Sequence, residues 1–153
     1  MKPAFRIAAV VLALGALAGA AQLKKSDTVV KAEAKADPVG ADGKQLVTIT
    51  LTIDKGWHLY ANPVGNADLA DSQTTVSVSS KNKVQDVKVE YPEGKLVKDK
   101  VVGDYKTYEG KVTIKATVSR AKGDTEPLEV AVKVQACSES QCLLPATVNL
   151  TAK

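Results

Sequence analysis

Three stretches of this chain repeat with a period of two. In QLVTITLTI, Val47, Ile49, Leu51 and Ile53 alternate with threonines; in KVTIKATVS, Val112, Ile114, Ala116 and Val118 fall at every second place; LEVAVKVQA does the same with Leu128, Val130, Val132, Val134 and Ala136. Successive side chains of a strand point to opposite faces, so each stretch is a strand with one apolar face to bury. After the N-terminal leader, no segment keeps an apolar period of 3.6 residues for three turns, and little helix is expected. Shorter strand patterns lie at residues 28–36, 57–61, 74–79, 84–91 and 146–151. Turn chemistry separates them at Asp42-Gly43, Asn62-Pro63, Pro92-Glu93-Gly94, Glu109-Gly110 and Lys122-Gly123-Asp124. Seven to nine short strands of this kind predict an all-β fold, an immunoglobulin-like antiparallel β-sandwich. The Lys-rich stretch KLVKDKVV, residues 95–102, is read as a solvated loop or an edge strand, where lysines discourage strand-to-strand association. Residues 22–44 are a lead-in that contains either a first strand or a Lys- and Ala-rich approach to the sandwich, and residues 45–153 carry its body.

The first residues bear on the compartment. Lys2 and Arg6 precede an apolar run from Ile7 to Leu17, and Ala18-Gly19-Ala20 follows with the small residues of a signal-peptidase site. Residues 1–21 are therefore read as a cleaved secretory signal, since the run is shorter than the roughly 20 residues that span a bilayer. The mature chain is expected to be periplasmic or secreted, not inserted in a membrane, in a compartment where disulfides persist. Phe5, the only phenylalanine, lies in this leader, which leaves the core to Val, Leu, Ile and Ala.

Charge excludes one class of partner. The formal balance is +4, and loss of Lys2 and Arg6 with the leader leaves +2, with both signs interspersed and one Trp and four Tyr as stacking surfaces. Nothing here makes an electrostatic footprint for nucleic acid. There is no Gly-rich phosphate loop, no serine in a nucleophile elbow and no paired-carboxylate site, so hydrolase and nucleotide-binding classes are disfavoured. No cofactor is expected.

The two cysteines, Cys137 and Cys142, stand in VQACSESQCLLPAT. They are too close to form the long-range inter-sheet bridge of an antibody domain. As a structural clip, a ring of six residues would add only about 2 kcal/mol by loop entropy. As a metal site, two cysteines and the single histidine, His58, fall short of four ligands, so no metal is expected. As an exchange pair, strand parity places Cys137 on the outward face with Lys133 and Gln135, and the polar Ser138-Glu139-Ser140-Gln141 sets the pair on an accessible turn. Accessible disulfides are the ones a thiolate can reach in line. From the residues, clip and exchange pair both remain open.

ACSESQCLLPATV resembles the cysteine segment of the amino-terminal periplasmic domain of the DsbD thiol:disulfide interchange family. Upstream and in the same order, DKGWHLYANPVG, VEYPEGK and VVGDYKTYEGKVTI resemble other segments of that domain, and together they cover most of residues 45–151. The resemblance implies an immunoglobulin-like sandwich whose cysteine pair passes reducing equivalents from a membrane electron carrier to oxidised proteins outside the cytoplasm. It implies that Cys142 forms mixed disulfides with partners and Cys137 resolves them. It also implies a cap loop over the cysteines. Where members typically present an aromatic residue, this chain has Val101 and Val102, with Tyr105 following. The membrane relay and thioredoxin-like domain of full-length members are not in this sequence. A separate membrane protein is therefore the expected electron source; the alternative is an exported binding or structural module with a permanent disulfide. His58 and Tyr60 are neighbouring candidates: His58 as a base for a cysteine, although a histidine beside Trp57 and Tyr60 at a strand end is more commonly packing.

Overall fold

The structure, a computed structural model, describes residues 23–82 and 84–152. The leader read as a signal peptide lies outside the described residues. Among the described residues eleven strands follow in order: β1 (Val30–Ala36), β2 (Lys44–Ile53), β3 (His58–Tyr60), β4 (Thr75–Ser79), β5 (Asp86–Glu90), β6 (Lys95–Val97), β7 (Tyr105–Tyr108), β8 (Lys111–Ser119), β9 (Leu128–Val134), β10 (Ala136–Cys137) and β11 (Ala146–Ala152). Helix among these residues is confined to two short 3-10 segments, Ser26–Thr28 and Ala67–Ser72. Among the described residues no helix is long and apolar enough to cross a membrane.

The period-two stretches form the strands expected of them. β2 and β8 pair antiparallel through nine positions, which sets Ile49 opposite Ile114 and Val47 opposite Ala116. All four are fully buried. β1 and β5 flank this pair to give the sheet β1-β2-β8-β5, and β9, between β11 and β4, faces it with Leu128, Val130, Val132 and Val134 buried. The result is an immunoglobulin-like sandwich with a core of Val, Ile, Leu and Ala. β1, which lies within the lead-in, pairs with β2 over its seven residues.

A third sheet, β10-β3-β7-β6, was only partly legible. Its strands have two to four residues, which accounts for eleven strands where seven to nine were expected. β7 carries no apolar alternation, yet it is central here. Tyr108, 3% exposed, donates its hydroxyl hydrogen to Pro92 O at 2.9 Å and accepts the Asn62 amide at 3.2 Å, tying the flanking turns to the sheet. Gly94 lets β6 approach: a Cβ there would lie 2.5 Å from Ala61 Cβ and 2.9 Å from Lys106 Cβ, closer than carbons pack. β6 is an edge strand, one of the two readings of the Lys-rich stretch.

Candidate functional site

The cysteines sit where the chain changes sheets. β9 ends at Val134, Gln135 belongs to no strand, and β10 pairs with β3, setting Ala136 opposite Leu59 and Cys137 opposite His58. The alternation of β9 nevertheless carries through the change of sheet, with Val134 and Ala136 in the core cluster and Cys137 outside it. Ala136 is fully buried against the core, and Cys137 is 2% exposed, a correction to the expected accessibility of Cys137. The third sheet continues the alternation in phase: Ala136 takes its inner face, and Cys137 the opposite face, outside the main core cluster.

From Cys137 the chain folds straight back. Ser138 N donates to Gln141 O at 2.8 Å and Leu143 N to Ala136 O at 2.8 Å, so Cys137 and Cys142 face each other across a hairpin with Cα atoms 4.0 Å apart and their sulfurs bonded. The Ser138 hydroxyl accepts the amides of Ser140 and Gln141 at 3.3 and 3.2 Å and shapes the turn. Cys142 is exposed. The pair is thus asymmetric: one cysteine faces solvent and the other is covered.

Tyr60 covers it. Residues opposite one another across an antiparallel pair, and residues two apart on one strand, share a face, so His58, Tyr60 and Cys137 lie together. The Tyr60 oxygen is 3.6 Å from Cys137 Sγ, and because a disulfide sulfur has no hydrogen the hydroxyl is the donor. Burial, with Tyr105 adding to it, raises the Tyr60 pKa and keeps that proton in place. The Tyr105 ring packs against Tyr60 with centroids 5.8 Å apart, and His58 meets Tyr60 edge-on at 6.1 Å.

The two valines assigned to the cap are both exposed. Val101 is 92% exposed and Val102 49%. The Asp99 carboxylate accepts the amides of Val101 and Val102 at 2.7 and 3.1 Å, and the Asn66 side-chain amide donates to Val102 O at 2.8 Å, which holds the loop tip as a turn of its own. Of the three cap candidates, Tyr105 reaches the site, through Tyr60.

His58 is brought beside the pair, which no single sequence could show. Its burial lowers the imidazole pKa from the ordinary 6.5, and the charge of Glu109 opposes part of that shift. Between the folded value and 6.5 the unfolded chain binds a proton that the native protein does not. Stability is therefore full above pH 6.5 and declines as pH falls toward the folded value. His58→Gln is expected to remove this part of the decline, read from urea midpoints at pH 7.5 and 5.0. An equal decline in both proteins would assign it to other groups.

One functional position carried no signal in the sequence. Ser26, fully buried, accepts the Ala136 amide at 2.8 Å through its hydroxyl, which donates to Leu144 O at 2.8 Å, while the Ser26 amide donates to the same carbonyl at 2.9 Å. It clamps both arms of the cysteine hairpin. No pattern marks a serine whose partners are 110 and 118 residues away.

A disulfide closing a surface hairpin of an immunoglobulin-like sandwich, with one cysteine open and its partner covered, is an arrangement suited to a thiol–disulfide exchange module. The family model described as thiol:disulfide interchange protein DsbD, N-terminal, matches residues 25–152, and the chain belongs to this family. Its function is thiol:disulfide interchange with partners. No curated protein matches the chain in sequence. Among solved structures it is similar to the N-terminal domain of DsbD from Neisseria meningitidis in the reduced form, at 16% identity and a TM-score of 0.52, covering 82% of this chain and 85% of that one. It is also similar to the N-terminal periplasmic domain of ScsB from Proteus mirabilis, at 18% identity and a TM-score of 0.56, covering 80% of this chain and 46% of that one. These two likenesses concern the fold.

Proposed function

We propose that this chain is an exported, periplasmic domain that passes reducing equivalents to or from protein partners, with Cys142 as the thiol that meets the partner and Cys137 as the thiol that resolves the complex. The observation that carries the assignment is the contrast between exposed Cys142 and Cys137 at 2% exposure. In the reduced protein the Cys142 thiolate attacks one sulfur of a partner disulfide, forming a mixed disulfide and expelling the partner's other sulfur as a thiolate. The Cys137 thiolate then attacks Cys142 Sγ, re-forms the internal bond and releases the partner's second thiolate. Two electrons leave this chain and the partner disulfide becomes a dithiol. A donor dithiol, for which a separate membrane carrier is the proposed source, reverses the sequence and restores the reduced form. The Tyr60 hydroxyl, placed to donate to Cys137 Sγ, favours the thiolate there when the internal bond opens. Tyr105 holds Tyr60 in place, and residues 1–21 serve as the export signal. No step calls for a cofactor.

The competing reading is a permanent clip in a binding module. The reduction potential of the Cys137–Cys142 bond separates the two: equilibration in glutathione or dithiothreitol buffers, with alkylation and mass readout, is expected to place it at roughly −120 to −270 mV, the range of exchange proteins. A potential below about −300 mV would identify a structural bond.

A further inference from the structure

Beside the disulfide lies a cleft of 570 Å³ that the exchange chemistry leaves unused. The turn after β2 contributes Asp54, Lys55 and Trp57, β3 contributes His58, the β7–β8 turn contributes Glu109, and the cysteine hairpin itself contributes Glu139. Two of its lining residues neighbour the cysteine pair: His58 stands opposite Cys137, and Glu139 lies within the loop that joins Cys137 to Cys142. On a chain with a formal charge of +4, its lining carries three carboxylates against one lysine. Glu109 has a single exposed ion pair, with Lys95 at 3.3 Å, a contact of small worth that a competing cation displaces. Among the described residues Asp54 and Glu139 have no ion pair. The half-buried Trp57 adds an aromatic wall. Carboxylates around an aromatic face recognise an ammonium or guanidinium group carried on an aliphatic stem.

We propose that this cleft is a specificity subsite for a lysine or arginine side chain of the partner polypeptide, lying within a few residues of the cysteine that Cys142 engages. The proposal rests on the exchange reading, since that chemistry is what brings a partner segment to Cys142. A segment held there by its sulfur has its flanking residues within reach of the hairpin loop, because an extended chain advances about 3.3 Å per residue. A basic flank then meets Glu139 and Glu109 with the Trp57 face behind them, whereas an acidic flank meets like charge. Rim charges of this kind act on selection and encounter rate more than on the chemistry of exchange.

The test uses the reduced mature protein and synthetic peptides whose single cysteine is capped as a mixed disulfide with 2-mercaptoethanol, with Arg, Gln or Glu three residues from that cysteine. Each turnover oxidises the protein dithiol to its disulfide and yields the peptide thiol and 2-mercaptoethanol. Second-order rate constants at low ionic strength are expected to fall in the order Arg, Gln, Glu. The Arg-to-Glu ratio should be about tenfold, falling toward one in 0.5 M salt. In the double variant Glu109→Gln, Glu139→Gln the ratio is expected to drop to about two. Because it is taken within each protein, the ratio is independent of any change in overall reactivity. Equal rates for the three peptides with the unaltered protein, or a ratio that survives the double variant, would overturn the subsite. Parallel assay with 2-hydroxyethyl disulfide locates a failure: reduction of it beside charge-blind peptide rates removes the subsite alone. If neither it nor any peptide is reduced, the exchange reading falls and the subsite with it.

Discussion

A Cys137→Ala variant is expected to hold its partners as stable mixed disulfides, and a Cys142→Ala variant to hold none. Cys142 is exposed at the mouth of the hairpin, while Cys137 is 2% exposed and has Tyr60 against its sulfur, so an incoming disulfide has in-line access to Cys142 alone. Once the mixed disulfide has formed, its lifetime depends on Cys137, which faces Cys142 at a Cα separation of 4.0 Å. A thiol held in such a position acts at an effective concentration far above that of thiols in solution. Its removal should lengthen the mixed disulfide's life by on the order of a hundredfold or more. Reduced single-cysteine proteins would be incubated with an oxidised thioredoxin-like protein, quenched with acid and resolved without reductant. Alkylation of the unaltered reduced protein with limiting iodoacetamide should agree by labelling Cys142 first. Trapping by the Cys142→Ala variant, or first labelling of Cys137, would reverse the assignment of the two thiols.

Ser26→Ala is expected to cost about 1–3 kcal/mol of stability, a large effect for the loss of one oxygen. The hydroxyl bridges the Ala136 amide to the Leu144 carbonyl. Leu144 O keeps its bond from the Ser26 amide after the substitution, whereas the Ala136 N–H, fully buried, loses its partner and pays the desolvation of an unmade hydrogen bond. Thr28 makes a useful control, because its hydroxyl bonds Lys25 O at 2.7 Å on the exposed surface. Thr28→Ala should change stability by less than about 0.5 kcal/mol. Urea unfolding of the oxidised proteins measures both. Equal and small losses would mean that the Ser26 hydroxyl does not bridge the hairpin in solution. The loss should also appear as faster hydrogen exchange of the Leu143 amide, because that amide closes the same hairpin on Ala136 O.

Much of the sandwich was legible in residue order. β2, β8 and β9 are long enough to write their burial as alternation, since a strand with one face on the core must place an apolar side chain at every second position. The family of the cysteine segment was legible too, because Cys137, Cys142 and the residues around them are contiguous. The third sheet was less so: strands of two to four residues complete at most two periods, and β7 reads Tyr-Lys-Thr-Tyr. The same limit governs the site. Counting from β9 placed Cys137 on the face away from the core, which it occupies, but made it accessible, whereas Tyr60 from β3 lies against its sulfur and Cys137 is 2% exposed. Val101 occupied the cap position by motif, yet the Asp99 turn leaves it in solvent. The sequence by itself determined the long strands, the sandwich and the family of the cysteine segment, because each is encoded by neighbours along the chain. Which cysteine is open, that Tyr60 shields its partner, that Ser26 bonds the cysteine hairpin, and that Glu109 and Glu139 line one cleft were decided by the tertiary structure. Those relations join residues far apart in the chain, and they arise only when the sheets pack.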